Sequence, residues 1–128
     1  VDFYNDSTAT NPSAATAGLA TILELSKKVI LIAGGNDKNM GFEEFVDKIN
    51  VNQIKTVLLE GTADQKLASI DTELKVGSYT DFKEAIKAAF ENADSNSVVL
   101  LSPGATSFNL FKDEFDRGRQ FKEIVNNL

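Results

Sequence analysis

The feature of this sequence that most constrains its fold is the alternation of short β-branched apolar runs with amphipathic stretches. The apolar runs have the length of strands, and the amphipathic stretches repeat their apolar residues every three or four positions, as helices do. Strands that alternate with helices along a chain usually pair into a parallel sheet with helices on its faces. The sequence therefore predicts an α/β fold with a mostly parallel sheet flanked by helices.

The predicted strands lie at residues 1–4, 29–33, 56–59 and 97–101, with a weaker extended segment at 74–76. Predicted helices cover about residues 12–25, 42–49, 62–69 and 82–90, and a closing helix is marked by Phe121, Ile124, Val125 and Leu128. Asn11 is placed to cap the first helix, with Pro12 in its first turn. Thr62 is predicted to cap the third helix, with Gln65 as its capping-box partner. The run at 29–33 is apolar throughout, which predicts a strand buried on both faces.

The chain has 128 residues, of which 42% are hydrophobic, and it contains no internal repeat, low-complexity tract or linker. A chain of this length can bury one core. Residues 1–128 are therefore expected to form a single domain. Because the sequence begins at Val1 without a Met and enters an apolar stretch directly, we interpret it as a domain excised from a longer polypeptide.

Charge and hydropathy argue against two classes of partner. With 19 acidic and 13 basic side chains the net charge is −6, which repels both nucleic acid and anionic membrane surfaces. No apolar run approaches the roughly 18 to 20 residues that span a bilayer, and no signal segment opens the chain. We expect a soluble cytoplasmic protein with no nucleic-acid or membrane partner.

The sequence contains no His and no Cys. This excludes Ser-His-Asp hydrolysis, imidazole general-base catalysis, thiolate nucleophiles, disulfides and zinc–thiolate sites. Any chemistry must therefore use carboxylates, hydroxyls, lysines and backbone amides.

Three polar loops follow predicted strands, and we name them the first loop (residues 5–11), the second loop (34–38) and the third loop (102–108). In a parallel sheet the ligand crevice lies beyond the carboxyl ends of the strands, where such loops meet. Each loop has two interpretations. The hydroxyls of the first and third loops either cap helices or, with the helix-start amides, bind an anion. Lys38 is either a solvated lysine or a clamp for a carboxylate.

Four segments together resemble the C-terminal domain of the D-glutamate-adding branch of the Mur ligase family. They are YNDSTATNP (4–12), ILIAGGNDK (30–38), LLSPGATSF (100–108) and FK with FDRGRQF (111–112 and 115–121). Their order and spacing agree over nearly the whole chain. Several sibling branches carry a His in the first loop, and its absence here favours the D-glutamate branch.

This resemblance implies a Rossmann-like three-layer domain that closes over a central ATPase domain. In the family, ATP phosphorylates the carboxylate of UDP-MurNAc-L-Ala, and the amine of D-glutamate then displaces phosphate. ATP and Mg²⁺ would be bound mainly by the central domain, which carries the phosphate loop. The chain alone is therefore expected to be an inactive part of a peptidoglycan-precursor ligase.

The resemblance also implies roles for individual residues. The D-glutamate carboxylates would be held by Thr10, Lys38, Ser107 and the backbone of Phe108. The nucleotide would be contacted by Asp6, near the ribose, and by Ser7 and Thr8. No catalytic residue and no metal ligand is predicted within the chain.

Two departures from the family pattern affect these assignments. Thr8 stands where the family commonly has Lys, so a charged phosphate contact is expected to be missing. The family places a Phe one position earlier than Phe115, and for this reason Glu114 and Phe115 are left out of the predicted site.

Two further hypotheses use the same loops without catalysis: a stand-alone Rossmann-like small-molecule binding module, and a structural or partner-binding α/β domain.

Overall fold

Alternating strands and helices are present in the computed structural model, which describes residues 1–26, 28–106 and 111–128. The strands are β1 (Asp2–Asn5), β2 (Val29–Gly34), β3 (Lys55–Leu59), β4 (Lys75–Tyr79) and β5 (Val98–Leu101). The helices are α1 (Pro12–Leu25), α2 (Glu43–Val51), α3 (Asp64–Leu67), α4 (Phe82–Glu91) and α5 (Glu114–Asn126), and a short 3₁₀ turn (Thr72–Leu74) precedes β4.

The five strands form one sheet in the order β1-β5-β2-β3-β4, and every neighbouring pair is parallel. This confirms the predicted α/β architecture. β1, β5 and β2 are neighbours in the sheet although they are far apart in the sequence. Because parallel strands end at the same edge, the three loops that follow these strands are brought together.

The sheet separates two apolar cores. Leu31 of β2 packs in the same cluster as Leu19 of α1 and Phe45 of α2, whereas its neighbour Ile32 packs in the other cluster with Ile86 of α4. Successive side chains of a strand point to opposite faces, so β2 contributes to both cores. All six of its residues are buried, as the continuous apolar run predicted.

The first helix begins as predicted. The Asn11 side chain accepts a hydrogen bond from the Ala14 amide at 2.8 Å, and Pro12 is the first helical residue. This satisfies one of the amide groups that the first turn of a helix leaves without an intrahelical partner. None of the helices in the described parts of the chain is long and apolar enough to cross a membrane.

The predicted cap at Thr62 is wrong. Helix α3 spans only Asp64–Leu67 and has no side-chain cap. The Thr62 hydroxyl instead accepts from the Asp37 amide at 2.9 Å, and the Asp64 carboxylate accepts from the Gly61 amide at 3.2 Å. A tertiary contact thus uses the hydroxyl that local sequence assigned to the helix.

Two other elements also have boundaries that differ from those predicted from the sequence. Strand β4 runs to Tyr79, and α5 begins at Glu114, where the side chain of Asp113 caps it by accepting from the Asp116 amide at 2.8 Å. Leu128, predicted to line the closing helix, lies beyond its end and is 52% exposed. Polar residues at a helix start carry little apolar periodicity, so the pattern located only the later turns of α5.

Candidate functional site

The three loops are joined by backbone hydrogen bonds at the carboxyl edge of the sheet. The Gly104 amide donates to the Ala9 carbonyl at 2.9 Å, which joins the third loop to the first. The Gly34 amide donates to the Pro103 carbonyl at 2.9 Å, which joins the second loop to the third. The edge is therefore one continuous surface built from three distant segments of the chain.

Two predicted ligand-binding side chains meet on this surface. The Lys38 ammonium lies 3.4 Å from the Thr10 hydroxyl, although the two residues belong to different loops. Lys38 is exposed and Thr10 is half-buried. An exposed cation beside a hydroxyl offers two kinds of donor to a carboxylate.

The second loop is held by residues of the chain around α3. The Asp37 amide donates to the Thr62 hydroxyl, and the Asp37 carboxylate forms an ion pair of 2.6 Å with Lys66. The same carboxylate accepts from the Met40 amide at 3.0 Å. The hydrogen bond from Lys66 is the main cause that lowers the pKa of Asp37 below its usual value. Lys66 was not predicted, because a lone lysine on a short helix carries no sequence signal of its partner.

Asp6, the predicted ribose contact, is fixed from inside the protein. One of its carboxylate oxygens accepts from the buried hydroxyl of Ser102 at 2.7 Å. A side chain on Gly18 would collide with that same oxygen. An ionised carboxylate has acceptor sites for several donors, so one such bond leaves capacity for another.

The two other predicted nucleotide contacts differ from each other. Ser7 is buried: its hydroxyl donates to the Glu114 carbonyl at 2.6 Å, and its amide donates to the Asn5 side chain at 3.1 Å. Both donors of Ser7 are thus engaged within the chain. Thr8 is exposed. A nucleotide role for either residue stays a prediction.

Arg117 anchors the first loop to the third and was not predicted to have a role. Its side chain is fully buried, and its three guanidinium nitrogens donate to the Ser7 hydroxyl, the Ser7 carbonyl and the Ala105 carbonyl at 2.9, 2.6 and 3.1 Å. Burial lowers the pKa of Arg117 to about 10, so the group remains charged at neutral pH. A buried cation needs such a full set of partners, since an unsatisfied charge would strongly destabilise the fold.

An open cavity of about 490 Å³ lies between the first loop and α5. Its lining includes Thr8, Phe115 and Lys122, and Phe115 is 69% exposed. The predicted contacts at Ser107 and Phe108 lie outside the residues that the structure describes. Within residues 1–26, 28–106 and 111–128, no cluster of three or more metal-ligating side chains is present.

Comparison with known proteins identifies a family that this chain resembles over most of its length. Residues 1–105 match the family model described as "Mur ligase, glutamate ligase domain". Similar curated proteins named UDP-N-acetylmuramoylalanine--D-glutamate ligase are those of Caldicellulosiruptor bescii at 41% identity, Roseiflexus sp. at 39% and Borreliella burgdorferi at 34%. Each alignment covers 100% of this chain but only 28 to 29% of the relative.

The chain thus spans less than a third of the length of these relatives. Its parallel sheet and flanking helices agree with the family match, which extends from β1 to the third loop. The chain belongs to the family of Mur ligase glutamate ligase domains.

Proposed function

We propose that this chain is the D-glutamate-binding domain of a cytoplasmic, ATP-dependent ligase that adds D-glutamate to UDP-MurNAc-L-Ala in peptidoglycan-precursor synthesis. The observation that carries the proposal is the meeting of Lys38 and Thr10 at 3.4 Å across two strand-end loops. Family membership and relatives of that name support the choice of substrate.

In this reaction ATP phosphorylates the carboxylate of UDP-MurNAc-L-Ala. The amine of D-glutamate attacks the acyl phosphate, so that a C–N bond forms and the C–O bond to phosphate breaks. D-Glutamate carries two carboxylates, and Lys38 and Thr10 hold them together with Ser107 and the backbone of Phe108. Holding the carboxylates aims the amine at the acyl phosphate, and orientation of this kind lowers the barrier without a catalytic side chain.

ATP is a substrate in this proposal, and Asp6 accepts from its ribose. The bond from Ser102 to one carboxylate oxygen supports this role because it fixes the direction of the carboxylate. Thr8 is an exposed residue of the same loop and lacks the charge of a lysine. The described residues hold no cluster of carboxylates that fits Mg²⁺, so no step is assigned to a metal ligand of this chain. The 128-residue chain alone is inactive in this proposal.

The test uses the complete polypeptide that contains this chain. Phosphate release is measured with ATP, Mg²⁺ and UDP-MurNAc-L-Ala, and D-glutamate is compared with L-glutamate. Lys38→Ala is expected to raise the KM for D-glutamate roughly 30-fold, since a hydrogen bond to a charged group contributes about 2 kcal/mol. Lys55→Ala is the matched control, because Lys55 is an exposed lysine at the amino end of β3, on the opposite edge of the sheet.

Release that depends on D-glutamate and weakens only in Lys38→Ala supports both the reaction and the carboxylate clamp. Release driven by another amino acid would place the protein in a sibling branch of the family. A folded wild-type protein that releases no phosphate would favour the small-molecule binding module.

A further inference from the structure

Lys66 makes contacts on both sides of Lys38 in the sequence. Its ammonium pairs with the Asp37 carboxylate at 2.6 Å and donates to the Met40 carbonyl at 2.6 Å. In the sequence, Lys38 lies between these two partners of Lys66. One ammonium group therefore closes the turn that presents Lys38, and it does so from a different element, α3.

The turn has an uncommon backbone conformation that contacts from α3 help to hold. Asn39, the residue after Lys38, has a φ of 67°, in the left-handed region that few residues other than Gly, Asn and Asp adopt. A conformation of this kind persists when surrounding contacts hold it. The Met40 amide completes the turn by donating to the Asp37 carboxylate at 3.0 Å.

Lys66 also controls charge beside the Lys38 ammonium. The Asp37 side chain is 12% exposed and that of Lys66 is 36% exposed, so their pairing is partly shielded from water. Without Lys66, the Asp37 carboxylate would be an unpaired anion next to Lys38. It would attract the Lys38 ammonium and repel a carboxylate ligand.

We propose that Lys66 is a positioning residue for D-glutamate: it fixes the turn that carries Lys38 and neutralises Asp37, without touching the substrate. This inference rests on the proposed function and goes beyond it, because it assigns substrate affinity to a residue of helix α3. Lys66 acts through Asp37 and Met40, and its ammonium also lies over the Phe42 ring, 6.0 Å from the ring centroid.

The first test measures steady-state kinetics of the complete ligase. Lys66→Met is expected to raise the KM for D-glutamate about tenfold, because a displaced binding group weakens substrate binding. The kcat and the KM for ATP should change less than twofold. Lys66→Arg keeps the charge and should recover most of the affinity. Lys28→Met is the control, since Lys28 forms a more exposed ion pair of 2.9 Å with Asp94 at the other end of the sheet, before β2 and β5 begin.

The second test does not depend on turnover. Hydrogen exchange of the Met40 amide is followed by NMR in the 128-residue chain, and Lys66→Met should accelerate it at least about fivefold while Lys28→Met leaves it unchanged. Unchanged exchange would overturn the claim that Lys66 holds the turn.

The two proposals fail in different ways. A wild-type ligase that ignores D-glutamate overturns the proposed function and the substrate named here. A wild type that requires D-glutamate, is weakened by Lys38→Ala and keeps its KM in Lys66→Met overturns only the role of Lys66.

Discussion

The first and second loops lie at the same edge of the sheet but are anchored in opposite ways. Arg117 holds the first loop from inside the protein, where it is fully buried and donates to neutral oxygens. Lys66 holds the second loop from the surface, through an ion pair with Asp37. The hydrogen bonds of the first anchor go to neutral acceptors, with Glu114 acting on Arg117 only through a longer-range charge interaction, whereas the second anchor depends on a charged partner.

Because of this difference, we expect one anchor to affect mainly the stability of the fold and the other mainly the position of Lys38. Removing a buried hydrogen-bonded cation strands its partners in a dry environment, which strongly destabilises a fold. Breaking a partly exposed ion pair changes stability little, because water and salt replace much of the interaction. We therefore expect the first anchor to control whether the edge forms, and the second to control how accurately Lys38 is placed.

The largest expected effect is at the buried anchor. Arg117→Met should lower the free energy of unfolding by about 3 kcal/mol or more, because the Ser7 and Ala105 carbonyls lose their donors. Urea denaturation of the 128-residue chain measures this. Arg119→Met is the control, since Arg119 is exposed and pairs with Asp116 within the same helix, and it should change stability by less than about 0.5 kcal/mol.

If both arginine substitutions lowered the free energy of unfolding by the same small amount, Arg117 would not stabilise the fold more than an exposed arginine does, and the proposed contrast would be wrong. Arg117→Lys refines the result, because lysine keeps the charge but lacks the planar fork that reaches three acceptors. It should recover only part of the lost stability.

An intermediate effect is expected where backbone packing supports the second loop. A side chain on Gly61 would collide with the Gly35 carbonyl, so Gly61→Ala forces two backbone segments apart. We expect Gly61→Ala to lower the free energy of unfolding, measured by urea denaturation, by about 2 kcal/mol. A side chain on Gly41 would meet only the flexible end of Glu43, so Gly41→Ala should be nearly neutral. If the two variants were equally stable, close backbone approach would not hold this loop.

The smallest effect is a dependence on pH. The pKa of Asp37 is lowered in the folded protein, chiefly by the hydrogen bond from Lys66, so its stabilising contribution is present above its ordinary value of 3.8. That contribution is lost as the pH falls through the lowered folded-state value. The stability difference between wild type and Asp37→Asn should therefore shrink on acidification.

The first anchor provides the control for that measurement. Ser7→Ala removes a neutral partner of Arg117. Its difference from wild type in the free energy of unfolding, measured by urea denaturation, should therefore stay constant between about pH 7 and pH 3, roughly the range in which carboxylates titrate. Parallel pH dependence of the two variants would contradict the proposed contrast.

Local sequence patterns located the strands and helices, though not all of their boundaries, and did not identify the partners of their polar side chains. The apolar run of β2 and the cap at Asn11 follow from short-range physics, and both are present. Thr62 shows the limit: its composition suits a helix cap, yet its hydroxyl accepts from Asp37. Lys66 and Arg117 were missed for the same reason, because a single charged side chain gives no indication of the distant group it will meet.

The sequence by itself determined that this chain is an α/β domain with polar loops after its strands and without histidine or thiol chemistry. Only the tertiary structure decided the strand order, the meeting of Lys38 with Thr10, and the burial of Arg117 against Ser7, 110 residues away. The physical reason is that apolar periodicity acts over a few residues, whereas polar partners are chosen when the sheet closes and every buried charge must be satisfied.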